Sequence, residues 1–255
     1  GLADKKIVAR FYEPSAHTRE SFARAAQVMG GIITSLENSD RAPSLETLAQ
    51  AIAPIRADAI ILRHPQAGAA KIAADATDIP IINAGDGNNE HPTSALAQVY
   101  ALRAEKKSVD HLRVALVGDL KNGRAAHSLA LLLAQFEVYV SLVAPAAMSL
   151  PYDLSDGMRA RGITVEETND VSRVLAKADA VILSRVDKKF FADDKQFDKM
   201  SKFYSLETIV AQKKSAAWLS GSWNGGAEIL AEAYRKTNES ARAVWMAVLE
   251  KVIGK

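Results

Sequence analysis

The chain has no cysteine in 255 residues. Disulfides, thiolate metal sites and a cysteine nucleophile are thereby excluded, and a reducing compartment is expected. Charge of one sign is missing too: 32 basic against 30 acidic residues leave a net +2, and no run of like charges forms a tail. Nucleic acid and anionic membrane therefore have no electrostatic claim as partners. No apolar run reaches the ~18 residues of a membrane span. The start, GLADKKIVARFYE, lacks an apolar h-region, so no signal peptide is expected. H-E-x-x-H, histidine pairs at metal spacing, G-x-S-x-G and G-x-G-x-x-G do not occur. That counts against a metal site, a serine triad and a nicotinamide dehydrogenase. The expectation is a cytoplasmic protein of ordinary globular composition, 48% hydrophobic and 24% charged.

What is present is a rhythm. Short apolar runs, most of them rich in Val and Ile, mark strand candidates at 7-IVARFY-12, 31-GIITSL-36, 58-DAIILR-63, 80-PIINAG-85, 113-RVALVGD-119, 138-VYVSLVA-144, 163-ITVEE-167, 179-DAVILS-184 and 216-AAWLSG-221. Nearly continuous apolar runs of this length suit strands buried on both faces of a parallel sheet. Helical periodicity fills several of the gaps, as in 18-TRESFARAAQVMG-30, 45-LETLAQAI-52, 93-TSALAQVYALRAEK-106, 124-RAAHSLALLLAQF-136 and 171-VSRVLAKA-178. The alternation predicts an α/β protein of two doubly wound parallel-sheet domains. The polar segment 106-KKSVDH-111 marks a boundary, giving domains 1–107 and 108–255. The last helix, from about Glu239, is amphipathic through Ala241, Val244, Trp245, Val248 and Leu249 and is expected to pack back on the first domain.

Ligands of open α/β sheets sit at the carboxyl ends of strands. Five loops there are chemically loaded: 13-EPSAHTR-19, 63-RHPQ-66, 85-GDGNNEHPT-93, 119-DLKNGR-124 and 185-RVDKK-189. Ser15, Thr18 and Arg19 beside a helix start make an anion cradle, or else Ser15 or Thr18 merely caps the helix. Arg63 suits a phosphate or carboxylate, or a structural salt bridge. His91 can polarise a carbonyl or simply open a helix. Arg124 and Arg185 are placed to meet carboxylates. The 118-GDLKNGR-124 segment lacks the Lys-Ser/Thr of a P-loop, so that reading is rejected.

With these loops in view the chain resembles the aspartate carbamoyltransferase (aspartate transcarbamoylase) family. The likeness rests on 61-ILRHPQAGAA-70, 81-IINAGDGNNEHPTSAL-96 and 114-VALVGDLKNGRAAHSLA-130, and continues through 181-VILSRVDKKF-190. The resemblance implies transfer of a carbamoyl group from carbamoyl phosphate to the amine of aspartate, in pyrimidine biosynthesis, with no metal or organic cofactor. It implies homotrimers whose sites a neighbouring subunit completes. Carried over by position, Ser15, His17, Thr18 and Arg63 would bind carbamoyl phosphate or phosphate. Thr18, Arg63 and His91 would act catalytically at its carbonyl oxygen, and Arg124 and Arg185 would hold the amino acid.

The departures are specific. The family's Ser-Thr-Arg-Thr-Arg reads Ser15-Ala16-His17-Thr18-Arg19, so a guanidinium at the phosphate becomes a histidine, largely neutral at pH 7. In the loop 37–50, which sends a Ser and a Lys into the neighbouring site in the family, Asp40 and Ser44 stand at those places, with Arg41 as a partial substitute. Ser94 and Asp187 replace glutamines, and 220-SGSWN-224 replaces a His-Pro-Leu-Pro-Arg loop. The chain starts close to its first strand, so the family's N-terminal helix is expected to be missing or short. The reading is a family homologue with impaired or lost catalysis, serving as a structural or regulatory subunit beside an active transcarbamoylase or a dihydroorotase. The alternative is an active carbamoyltransferase with aspartate or another acceptor.

Overall fold

A computed structural model describes residues 1–35, 42–186, 188–203, 216–220 and 228–254. Among them the chain forms two compact units, one of residues 1–94 and 240–255, the other of residues 95–239. Each holds a parallel sheet flanked by helices. No described helix is long and apolar enough to cross a membrane.

The first sheet runs β2 (Ile32–Ser35), β1 (Lys6–Phe11), β3 (Ala59–His64), β4 (Ile81–Asp86), all parallel. Ala59, Ile60, Ile61 and Leu62 of β3 are all buried, as a strand enclosed on both faces requires. The crossovers carry α1 (Ala16–Val28), α2 (Leu45–Ile52) and α3 (Ala69–Asp75). Leu48 and Ile52 of α2 and Ala69 and Ala73 of α3 close over Ile60 and Leu62. Strand order reverses between β1 and β3, because the chain steps outward to β2 and then returns to the other side of β1. A crevice opens at such a reversal, and the ends of β1 and β3 carry EPSAHTR and RHPQ.

The second sheet repeats the device with order β7 (Thr164–Thr168), β6 (Tyr139–Val143), β5 (Arg113–Gly118), β8 (Ala180–Ser184), β9 (Ala217–Ser220). Its reversal lies between β5 and β8, whose ends carry 119-DLKNGR-124 and Arg185. Around it stand α5 (Arg124–Leu133), α6 (Tyr152–Ala160), α7 (Val171–Leu175) and α8 (Asp194–Phe203). Val114, Leu116, Leu129, Val140, Met158 and Ile182 belong to one buried cluster. All nine expected strands form. The segments of α3, α6 and α8 were not among the helix patterns read above, since short or charge-rich stretches carry little periodicity.

Two helices are shared by the units. The helix α4 (Pro92–Lys106) begins in the first and continues in the second. The last helix, α9 (Glu228–Ile253), starts earlier than Glu239. The polar run around Thr237 does not stop it, because the Thr237 hydroxyl donates back to the Ala233 carbonyl at 2.9 Å and leaves the helical bonding intact. Its C-terminal part packs on the first unit. Ala241, Val244, Trp245, Leu249 and Ile253 are buried, Val248 half-buried, and the Trp245 ring stacks on Phe22 of α1 with centroids 4.7 Å apart.

Candidate functional site

In the first unit, the turn from β1 into α1 leaves helix N–H groups without side-chain caps. Ser15 occupies the N-cap position, yet its hydroxyl makes no cap bond and instead donates to Thr18 Oγ1 at 2.9 Å. No acidic residue lies in the first turn of α1. Simple capping is therefore not what these hydroxyls do. An uncapped helix start of this kind is positive and donor-rich, the arrangement that receives an oxyanion.

Arg63, near the end of β3, is held at three points. Its Nη1 donates to the Ala84 carbonyl at 3.0 Å, its Nε lies 2.9 Å from Glu13 Oε1, and Nη1 stands 3.5 Å from His91 Nε2. Both charged side chains are mostly buried, 12% and 19% exposed. The salt bridge to Glu13 is thus formed, and the same guanidinium also reaches the Ala84 carbonyl and the His91 ring. The His91 Nδ1 lies 3.3 Å from the hydroxyl of buried Thr93, so both ring nitrogens have polar neighbours. Glu13 escaped the sequence reading because a carboxylate 50 positions from its cation leaves no local signal.

The turn before His91 is tied down by Asp86, only 2% exposed. Its carboxylate accepts from Gly68 N–H at 2.8 Å, Asn83 Nδ2 at 2.9 Å, Asn89 Nδ2 at 3.1 Å and Glu90 N–H at 3.2 Å. Four donors leave little of the carboxylate unsatisfied, which is the condition for burying it.

His64, next to Arg63, is fully buried. Its Nε2 faces the Pro43 carbonyl at 3.1 Å, and its Nδ1 accepts from Gln66 N–H at 3.1 Å. The carbonyl can only accept, so Nε2 carries the proton and the ring is neutral. Burial holds its pKa below the ordinary 6.5, against the pull of nearby Glu13 and Asp86. A folded pKa below the unfolded one means the unfolded chain takes up the proton first. Stability is therefore expected to fall as pH drops below about 6.5, with a ceiling of about 1.4 kcal/mol per pH unit. Carboxylates held low, such as Glu46 by the Ser44 hydroxyl and Asp58 by the Lys6 N–H, act only at lower pH. Urea denaturation between pH 7.5 and 5 should show a shallower slope for His64→Gln than for the unmodified protein. Equal slopes would refute this.

In the second unit, α5 opens at Arg124 with Gly123 as its N-cap and no side-chain cap. The preceding loop is rigidly built. Buried Asp119 accepts from Asn122 N–H and Nδ2, both at 3.0 Å. His127 Nε2 donates to the Leu120 carbonyl at 2.9 Å. Leu120 and Lys121 N–H both donate to the Met148 carbonyl at 3.0 Å. Arg185 follows the last residue of β8, which pairs with the last residue of β5. The topology thus gathers Ser15, Thr18, Arg63 and His91 at one strand-order reversal and sets Arg124 and Arg185 by the other. Asp40, Arg41, Asp187 and residues 221–224 lie outside the described residues, as does the side chain of His17. Among the described residues no cluster of three or more His, Asp or Glu could hold a metal.

Residues 1–104 match the aspartate/ornithine carbamoyltransferase carbamoyl-P binding domain, and residues 110–216 match the Asp/Orn binding domain of the same enzymes. The aspartate carbamoyltransferase catalytic subunit of Methanopyrus kandleri is 36% identical over 209 residues, 80% of this chain and 68% of that protein. That of Thermococcus kodakarensis is 37% identical over 210 residues, 81% of this chain and 68% of that protein. Among solved structures, the catalytic subunit of M. jannaschii aspartate transcarbamoylase superposes with a TM-score of 0.83 at 30% identity, covering 99% of this chain and 86% of that one. Aspartate transcarbamoylase from Trypanosoma cruzi in complex with carbamoyl phosphate and aspartate gives 0.83 at 26% identity, covering 97% and 84%. The chain belongs to the aspartate/ornithine carbamoyltransferase family.

Proposed function

We propose that this chain binds carbamoyl phosphate or phosphate through Ser15, His17, Thr18 and Arg63, and an aspartate-like ligand through Arg124 and Arg185. Its own turnover of aspartate is impaired or lost, and it serves as a structural or regulatory subunit. The observation that carries the reading is the first turn of α1, uncapped and donor-rich, with His17 where the family's motif has an arginine. In the reaction the amine attacks the carbamoyl carbon, negative charge gathers on the carbonyl oxygen, and phosphate leaves. Thr18, Arg63 and His91 would stabilise that oxygen. A fixed guanidinium would hold the departing phosphate, and losing one such charge costs about 10²–10³ in rate. A neutral imidazole supplies neither the charge nor the planar fork.

The test is carbamoylation of aspartate by the purified protein, alone and mixed with an active transcarbamoylase or a dihydroorotase. Turnover by the chain alone at ordinary rates of about 1–10³ s⁻¹ would sink this reading. It would favour the second one, an active transferase, which draws on the Arg63–His91 approach of 3.5 Å. Sulfate, whose charge does not change in this range, is expected to bind more tightly at pH 6 than at pH 8. His17→Arg is expected to tighten sulfate binding at pH 8 by about 5- to 10-fold, as one added charged hydrogen bond would. Unchanged affinity in calorimetry would mean that this turn does not take anions. A homotrimer is also proposed, and light scattering at micromolar concentration should give three times the chain mass; a monomer would refute it.

A further inference from the structure

In the second unit one hydroxyl sits between the two loops that carry Arg124 and Arg185. The Ser184 Oγ–H donates to the Asp119 carbonyl at 2.6 Å, across 65 residues of sequence. Ser184 is the last residue of β8, directly before Arg185, and Asp119 is the first residue after β5. Gly118 pairs in register with Ser184, and a side chain at Gly118 would strike the Ser184 carbonyl. A side chain at Gly123, directly before Arg124, would strike Ser184 Oγ itself and come within 2.5 Å of the Asp119 carbonyl. The 118–123 loop therefore wraps the Ser184 hydroxyl, and each arginine is one residue out from that contact. Strand pairing fixes β5 against β8 only as far as Gly118 and Ser184. Beyond them this hydrogen bond links the Arg185 strand end to the Arg124 loop.

We infer that Ser184 is a positioning residue that sets the spacing of Arg124 and Arg185, and through it the length of dicarboxylate the second unit accepts. The inference rests on the proposed role of the two arginines as carboxylate holders and adds the element that makes them a matched pair. Two guanidinium forks reward a ligand only when both carboxylates are met at once, and misplacement by about 1 Å costs up to about 10²-fold. A four-carbon dicarboxylate should therefore be distinguished from a five-carbon one for as long as the Ser184 bond holds.

The experiment is calorimetric titration of the full-length protein with succinate, glutarate and inorganic phosphate, the two dicarboxylates run in saturating phosphate. The unmodified protein is expected to prefer succinate to glutarate. Ser184→Ala should weaken succinate about 10-fold and bring the preference towards unity, with phosphate affinity unchanged. Ser184→Thr, which keeps the hydroxyl, should retain the preference. Should the alanine variant not fold, Ser184→Cys, a weaker donor of similar size, is read in the same way. Unchanged succinate affinity and preference in the Ala or Cys variant would overturn the inference. So would a parallel loss of phosphate binding, which would mark a general structural role. Failure of the unmodified protein to bind succinate at all would overturn the dicarboxylate reading beneath it, a result distinguishable from the first.

Discussion

Gly118→Ala is expected to destabilise the second unit by about 3–5 kcal/mol, enough to unfold it in mild urea. Gly118 has φ of 122°, a region that residues with a Cβ rarely adopt. An added Cβ would collide with the Ser184 carbonyl, a backbone group held in the β5–β8 pairing and unable to turn aside. Two penalties coincide, the strained backbone and the overpacked strand pair. Relief would require β5 and β8 to part at their carboxyl ends, where the 119–124 loop begins. Urea denaturation of the variant and the unmodified protein measures the loss directly. A difference below about 1 kcal/mol would show that the strand end yields without cost, and the rigid-loop picture would fail.

Trp245→Ala is expected to cost about 3–5 kcal/mol, the range for emptying a large aromatic from a core. Trp245 is 3% exposed and lies face to face with Phe22, itself 1% exposed, at an interplanar angle of 10°. This contact joins helix α9 to α1, nearly the full length of the chain apart in sequence. Deleting the indole leaves a void bounded by rigid helices. Its Nε1–H is buried with no hydrogen-bond partner among the described residues. Trp245→Phe removes that orphan donor along with some volume, so its cost should stay below about 1.5 kcal/mol. Equal losses for Phe and Ala would show that the ring stack on Phe22, which phenylalanine keeps, carries none of the stabilisation. Phe22→Ala and Trp245→Ala combined should be less damaging than the sum, since each removes half of one contact.

The central strands could be read from the sequence because β3, β5 and β8 are short runs of Val, Ile, Leu and Ala, and burial on both faces demands that composition. The C-terminal helix was equally legible in its apolar face, through Ala241, Val244, Trp245 and Leu249. Its true start at Glu228 was not, because the polar run 235-RKTNES-240 interrupts the apolar periodicity, although the helix continues through it with the Thr237 hydroxyl bonded back to Ala233. The strand-end loops drew notice through their residue types alone. That the Ser15 side chain does not cap α1 was not legible until its hydroxyl was found on Thr18.

By itself the sequence determined the alternation of strands and helices and the two parallel sheets, and it marked the polar strand-end loops. Those features follow from periodicity, β-branched runs and turn residues, each a property of a few neighbouring positions. Tertiary structure alone decided the pairings: Glu13 with Arg63, His64 with Pro43, Ser184 with Asp119, Phe22 with Trp245. Each joins residues 21 or more positions apart, and which groups meet depends on how strands order in the sheet. A hydrogen bond or ring stack is satisfied by any partner of the right type, so its sequence carries no mark of which one it finds.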